Sequence, residues 1–350
     1  MRIVFFTHRF LPDVGGVQLS VEATGLALAA DGHDVHIITE SKGPDRIGDM
    51  TVHRLQIPRL RPITRLLMWR SLLRLLSLFR SSDVLHFHDY GTYIHWFLPL
   101  RPFCRRPVYA MTFHGFDGWP ITLRHHVWRD VAARMMDVTF AVGSYVRTLY
   151  AHRIDYCFLG APLRAQAPSA PDALHILFVG RLADDTGVLP VLDALDRASR
   201  AKGVRTTVTL VGEASDGWGR DARSWQALAL TQHPPTLDVD SFIAEASVII
   251  ATGLLALFDA FACRRCVLVP ALTPVKREYV SSITEIDALA LVARSDGELD
   301  AIARHVLEGG WKDEGKRIAR ARTFAEGHTW QGIAALHLEA YASAQTRRAA

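Results

Sequence analysis

The chain has 350 residues, too many for one compact core and suited to two domains of roughly 100–200 residues each. With 49% hydrophobic and 22% charged residues it can bury a sizeable core, which excludes wholesale disorder and collagen-like or mucin-like chains. A net charge of +4, without aromatics interleaved among the basic residues, argues against a nucleic-acid binder, and four cysteines argue against a disulfide-stapled secreted scaffold.

The hydrophobic rhythm alternates short β-rich runs with longer helical patterns. In the first half it predicts strands over 3–6, 35–39, 52–56, 84–87, 108–112 and 138–142. Helices over 17–30, 64–79, 92–98, 123–135 and 145–150 fall between them. Strand, helix, strand in this order implies a parallel sheet with helices on both faces. A polar, proline-bearing stretch, 160–172, reads as a linker. Beyond it the rhythm restarts, with strands over 174–179, 207–211, 248–251, 267–269 and 288–293 and helices over 188–199 and 254–263. Helical segments over 298–308 and about 313–344 close the chain. The expected architecture is α/β: two Rossmann-like, doubly wound parallel-sheet domains with an interdomain cleft. Their expected spans are 1–165, 166–327, and a terminal helix over 328–350 crossing back to the first domain.

Such sheets bind ligands beyond the carboxyl ends of their strands, so the loops there carry the candidate chemistry. After the first strand, Gly15 and Gly16 open a helix, where backbone amides and the helix dipole favour a phosphate. The spacing is not G-x-G-x-x-G, so the dinucleotide fingerprint is absent. In the second half, the strand ending at Val179 leads into Gly180-Arg181-Leu182, placing a cation at its exit. Gly253-Leu254-Leu255 opens another helix, with Asp259 a turn and a half further along it, where a carboxylate can accept from ribose hydroxyls.

Three further features have a bland and a sharp reading. His86 and His88 share one face of a strand, and with Asp89 and His114 nearby they suit a metal-dependent hydrolase; buried, hydrogen-bonded strand histidines are the commoner case. Cys263-x-x-Cys266 lacks the second pair that a zinc site needs and reads as packing. Residues 54–80 hold seven arginines and no acid. As one helix, Met68, Trp69, Leu72, Leu75, Leu76 and Phe79 make an apolar face. Arg65, Trp69, Arg70 and Arg74 are the candidate contacts with an anionic membrane surface. A crossover helix packed on the sheet, with snorkelling arginines, is the alternative. No run of about 18 apolar residues occurs, and residues 1–9 lack a signal-peptide core, so the expectation is a cytoplasmic protein, peripheral on the inner face of the membrane.

Seven motifs stand in order along the chain. They are Gly15-Gly16-Val17, then Asp83-Val84-Leu85-His86-Phe87-His88-Asp89, then Thr112-Phe113-His114-Gly115, then Val179-Gly180-Arg181-Leu182. Leu210-Val211-Gly212-Glu213, the run from Leu254 to Cys263, and Thr329-Trp330 complete the set. Together they resemble the retaining, nucleotide-sugar-dependent glycosyltransferases of the GT-B fold, family 4 (the glycosyltransferase group 1 set), over nearly the whole chain. The resemblance implies transfer of a hexose-type sugar from a nucleotide sugar to a glycan or lipid-linked acceptor, with no metal and no cofactor. It places Gly15, Gly16, Gly180, Arg181, Gly212, Glu213, Gly253, Leu254, Leu255 and Asp259 at the donor. His114 would contact the transferred sugar, and Arg181 would neutralise the leaving diphosphate. Two departures stand out. The family's lysine five residues after the arginine is Thr186, and its first glutamate is Ala251, with the second shortened to Asp259. These departures motivate a second reading, a catalytically degraded scaffold or partner subunit.

Overall fold

The computed structural model describes every residue except 56, 58–62, 117–119, 165–167, 216–217, 219–224 and 350. The chain divides into two compact units, Met1–Leu159 with Trp330–Ala350, and Gly160–Thr329. Both are α/β units built on largely parallel sheets, the arrangement that the strand–helix rhythm predicts.

The first unit holds eight strands: β1 (Arg2–Phe6), β2 (Asp34–Thr39), β3 (Arg46–Ile47), β4 (Met50–Arg54), β5 (Val84–His88), β6 (Val108–Phe113), β7 (Val138–Val142) and β8 (Tyr156–Phe158). Their order is β3-β4-β2-β1-β5-β6-β7-β8, with only β3 antiparallel. Both faces are covered, so β5 and β6 are buried at every residue, as parallel strands require. The helices are α1 (Gly16–Ala30), α2 (Thr64–Leu73), α3 (Leu76–Ser81), α4 (Leu123–Arg134) and α5 (Tyr145–Leu149). The single helix expected over 64–79 is broken between Leu73 and Leu76, and the one expected over 92–98 is a π-helical turn, Thr92–Phe97, followed by a 3-10 turn carrying Pro99 and Pro102. Those prolines supply no N–H to an α-helical ladder.

The second unit holds β9 (His175–Val179), β10 (Thr206–Val211), β11 (Leu228–His233), β12 (Val248–Ile250), β13 (Cys266–Pro270) and β14 (Leu291–Ala293), ordered β11-β10-β9-β12-β13-β14 and wholly parallel. Its helices are α6 (Val188–Lys202), α7 (Asp240–Glu245), α8 (Leu254–Ala262), α9 (Pro274–Ser281), α10 (Ile286–Leu289), α11 (Asp296–Leu307) and α12 (Gly315–Glu326). Ile176, Phe178, Val191, Leu195, Val208 and Leu268 lie in its core, with the apolar side of α6 against the sheet. The expected run over 313–344 breaks at Gly327. Past the break α13 (Trp330–Ala349) joins the first unit, where Tyr341 is fully buried and its hydroxyl meets His86 Nδ1 at 2.5 Å. Arg348 ties the same helix to the Pro107 carbonyl and to Asp137.

Candidate functional site

In each sheet the strand order reverses at one place, and there the loops leaving two adjacent parallel strands diverge and open a crevice. In the second unit the reversal lies between β9 and β12. The first loop carries Gly180 and Arg181, and the second carries Thr252 and Gly253. A Cβ placed on Gly180 would stand 3.7 Å from Thr252 Oγ1, so the two loops lie side by side. The exit of β10 runs alongside: Gly212 approaches so close that a Cβ there would collide with the Gly180 carbonyl oxygen, and Leu182 N–H donates to the Glu213 carbonyl at 2.8 Å. Only a residue without a side chain fits at 212. The Glu213 side chain is exposed.

The electrostatics of this place favour an anion. Arg181 is more than half exposed and pairs with Asp185 at 2.6 Å, a solvated contact that is easily exchanged for another acid. Gly253 is the extended N-cap of α8, and no side chain caps the first-turn amides around Leu254 and Leu255. Those N–H groups and the helix dipole are suited to a phosphate. Thr186, where the family carries lysine, is buried, with its hydroxyl on the Ala183 carbonyl at 2.6 Å. Sequence reasoning passed over α9 and with it Lys276, whose Nζ donates to the Thr252 carbonyl at 2.8 Å. Burial lowers the Lys276 ammonium to about 8, with Asp185 opposing and Arg181 adding to the fall. Thr273-Pro274 was the available signal: a threonine N-cap followed by proline at the first helical position marks a helix start.

Asp259 is not an open carboxylate. Oδ1 accepts the backbone N–H groups of Leu163 (2.7 Å) and Arg164 (3.1 Å), and Oδ2 accepts the Arg164 guanidinium at 2.8 Å. The residue is 5% exposed. Burial raises its pKa, and Arg164 with the two N–H groups opposes the rise. Arg164 also reaches Asp240 (2.6 Å) and the Leu237 carbonyl (2.7 Å). The expectation of a ribose partner thus meets a carboxylate already tied to the chain that enters the unit. Ala251 is buried at the end of its strand.

In the first unit the reversal lies between β1 and β5. The loops after them meet where a Cβ on Gly91 would stand 3.0 Å from His8 Nε2. Gly15 caps α1 in extended geometry without a side-chain cap, and a Cβ on Gly16 would meet nothing within 4 Å, so ligand and backbone can approach there. His114 follows β6. Its Nε2 lies 2.8 Å from His88 Nδ1, and its backbone N–H donates to Asp89 Oδ1 at 3.2 Å. Burial, helped by Arg129, lowers His114 to about 3, so it is a neutral imidazole at physiological pH. Arg129 itself was missed by sequence reasoning, and no motif announces it. It is fully buried on α4, donates to the Gly115 carbonyl at 2.7 Å and stacks 4.1 Å over Tyr150.

The metal-hydrolase alternative loses its ligand pair. His86 faces Tyr341 Oη at 2.5 Å and Thr112 Oγ1 at 2.7 Å, so both ring nitrogens meet hydroxyls. Among the described residues no group of three or more His, Cys, Asp or Glu is arranged to hold a metal ion. Cys263 and Cys266 are buried free thiols.

The arginine-rich segment also departs from expectation. Met68, Leu72 and Phe79, assigned to a lipid-facing surface, are buried in the unit, and Trp69 is half-buried. What α2 turns outward is Arg65, Leu66, Arg70, Leu73 and Arg74, and Arg59 and Arg61 lie outside the described residues. On α4, Leu123, Val127 and Val131 form an exposed i, i+4, i+8 stripe beside Trp128, with Leu123 79% exposed. Arg65 of α2 and Arg124 of α4 both depress the His95 imidazole after burial has lowered it. No helix among the described residues is long and apolar enough to cross a membrane.

Residues 14–157 match the model of Glycosyltransferase Family 4. That stretch lies within the first unit. By sequence, no curated protein matches the chain. By structure, WaaG, a glycosyltransferase involved in lipopolysaccharide biosynthesis, superposes with a TM-score of 0.71 at 14% identity, covering 96% of this chain and 98% of its own. HepE of Anabaena, crystallised with UDP, gives 0.73 at 14% identity over 98% of this chain and 100% of its own. A glycosyltransferase from Rickettsia africae gives 0.70 at 14% identity over 98% of both chains. These likenesses carry the fold alone: the two parallel-sheet units are of the GT-B kind.

Proposed function

We propose that the protein is a retaining glycosyltransferase that moves a hexose-type sugar from a nucleoside-diphosphate sugar to a hydroxyl acceptor without a metal ion. The observation that carries this reading is the reversal point of the second sheet, where Arg181 and the uncapped start of α8 stand on adjoining loops. As the acceptor oxygen bonds to the anomeric carbon, the bond from that carbon to the β-phosphate oxygen breaks. The electron pair stays on the phosphate, and the acceptor proton passes to the diphosphate or solvent. Charge therefore grows on the leaving group, and fixed cations and amides stabilise that charge. HepE of Anabaena has been crystallised with UDP and with UDP-glucose, which makes uridine the first base to try. For Gly15, Gly16 and the neutral His114 of the first unit, the reading keeps the roles that the resemblance implies, at the donor and at the transferred sugar.

A panel of UDP-, GDP- and ADP-sugars, with products read by mass spectrometry, tests the reading. Transfer from at least one donor, undiminished by EDTA, is the expected result. A second reading, the catalytically degraded scaffold, draws on Thr186, Ala251 and the tied carboxylate of Asp259. Calorimetry separates the two: a scaffold binds no nucleoside diphosphate at all.

We also infer that the acceptor is met at an anionic membrane surface, as a lipid-linked or envelope glycan. The support is the set of exposed residues on α2 and α4: Leu66, Leu73, Leu123 and Trp128 together with Arg65, Arg70, Arg74 and Arg124. The protein is expected to co-sediment with vesicles containing phosphatidylglycerol at low salt and to be released by salt. The double variant Leu123→Asp/Trp128→Ala should lose most of that binding, and equal sedimentation of the variant and the parent would sink the idea.

A further inference from the structure

We propose that Lys276 is the second cation on the donor's pyrophosphate, delivered from α9 in place of the lysine that the chain lacks at position 186. This rests on the donor-site reading above and deepens it. The loop position is closed to the role, because Thr186 is buried and spends its hydroxyl on the Ala183 carbonyl. The side chain there is buried in the unit.

Lys276 arrives from α9 at the loop that follows β12. Its Nζ sits 2.8 Å from the carbonyl of Thr252, the residue immediately before the N-cap of α8. Thr252 Oγ1 in turn stands beside Gly180, the residue before Arg181. The ammonium is close enough to Arg181 and Asp185 for both to act on it. Guanidinium, ammonium and helix-start amides thus belong to adjoining segments at the ends of β9 and β12. The Thr252 carbonyl takes one of the ammonium's three N–H donors, and no carboxylate pairs with Nζ among the described residues. Asp185, the acid that acts on it, is engaged by Arg181.

Two like charges near each other in a folded protein are unfavourable unless anions offset them, and Asp185 offsets only part of the fall in the lysine. Here the burial of Nζ and the mutual repulsion lower the lysine to about 8. A bound diphosphate would oppose both effects. A purely structural lysine, present only to tie α9 to the exit of β12, would need no second cation beside it.

The experiment is calorimetry on the full chain with UDP, GDP and ADP, and with the corresponding monophosphates, across pH 6.5 to 9.5. Lys276→Met is expected to weaken the preferred diphosphate at least tenfold while leaving the monophosphate within about twofold, and to lower kcat more than it raises KM. Diphosphate affinity of the parent should fall as pH rises through about 8, where the ammonium loses its proton. The charged groups facing Nζ are Arg181 and Asp185, with the Tyr279 ring 5.2 Å away on its own helix. The lysine ammonium is the charge lost in that window, so Lys276→Arg should keep the affinity and flatten its pH dependence relative to the parent. Unchanged diphosphate affinity in Lys276→Met, or an equal loss of mono- and diphosphate, overturns the proposal. If Lys276→Met does not fold, Lys276→Arg decides alone: a slope identical to the parent's overturns it. Loss of diphosphate binding in Arg181→Ala but not in Lys276→Met sinks this inference and leaves the donor-site reading standing. A parent that binds none of the three diphosphates ends both.

Discussion

Arg181→Ala is expected to lower kcat/KM about a hundredfold to a thousandfold, the loss seen when one preorganised donor to a developing oxyanion is removed. The side chain is more than half exposed, so its removal leaves no buried partner stranded. Asp185, its ion-pair partner, is itself exposed enough to be solvated. Stability should therefore change little, within about 0.5 kcal/mol for a surface site, while activity collapses. That separation is diagnostic. Arg181→Lys should recover part of the rate, because an ammonium supplies the charge but not the planar fork that meets two phosphate oxygens at once. Steady-state kinetics with the preferred donor, next to a thermal melt of each variant, checks both halves. A variant that melts with the parent and transfers sugar at the parental rate would remove Arg181 from the mechanism and the pyrophosphate from the β9 exit.

Much of the fold was legible because parallel strands buried on both faces must be continuous apolar runs, and such runs stand out between helical patterns. Strands near the middle of each sheet, such as β1, β9 and β12, are largely of this kind. Edge elements were not legible. β11 is exposed over much of its length and reads Leu228-Ala229-Leu230-Thr231-Gln232-His233, too polar at its end to register as a strand. The helix expected over 64–79 has an apolar face at helical spacing, and that face is real. What periodicity cannot say is whether protein or lipid covers it, and here Met68, Leu72 and Phe79 face protein.

The same division runs through the site. Arg181 and the start of α8 lie in loops next to strong strands, so motif and position agree. Lys276 and Arg164 act from distant parts of the chain, on Thr252 and Asp259, and nothing local marks them as partners of those residues. A motif read residue by residue therefore reports Thr186 and Asp259 as damage. In three dimensions, a lysine from another helix donates to the residue before the N-cap of α8, and the shortened acid has an arginine of its own.

Asp259 gives the second large expected effect, this time on stability. Asp259→Ala would leave the Leu163 and Arg164 N–H groups without their acceptor and the largely buried Arg164 guanidinium with one carboxylate in place of two. Breaking one partner out of a buried ion pair costs about 3–5 kcal/mol, and the surviving Asp240 contact argues for the lower end, about 3 kcal/mol. Urea denaturation of Asp259→Ala and Asp259→Asn checks this, with Asp259→Asn expected to cost less because the amide oxygen can still accept the two N–H groups. Donor binding then separates two roles for one residue. Oδ1 already takes two donors and Oδ2 one, which leaves room for at most a single further hydrogen bond in the usual carboxylate geometry. If the residue is chiefly a tie between the entering chain and α8, folded Asp259→Asn should bind the nucleoside diphosphate within a few-fold of the parent. A stable Asp259→Asn protein that loses donor affinity a hundredfold would instead make the ribose its main partner, and the contact with Arg164 a resting arrangement that the donor displaces.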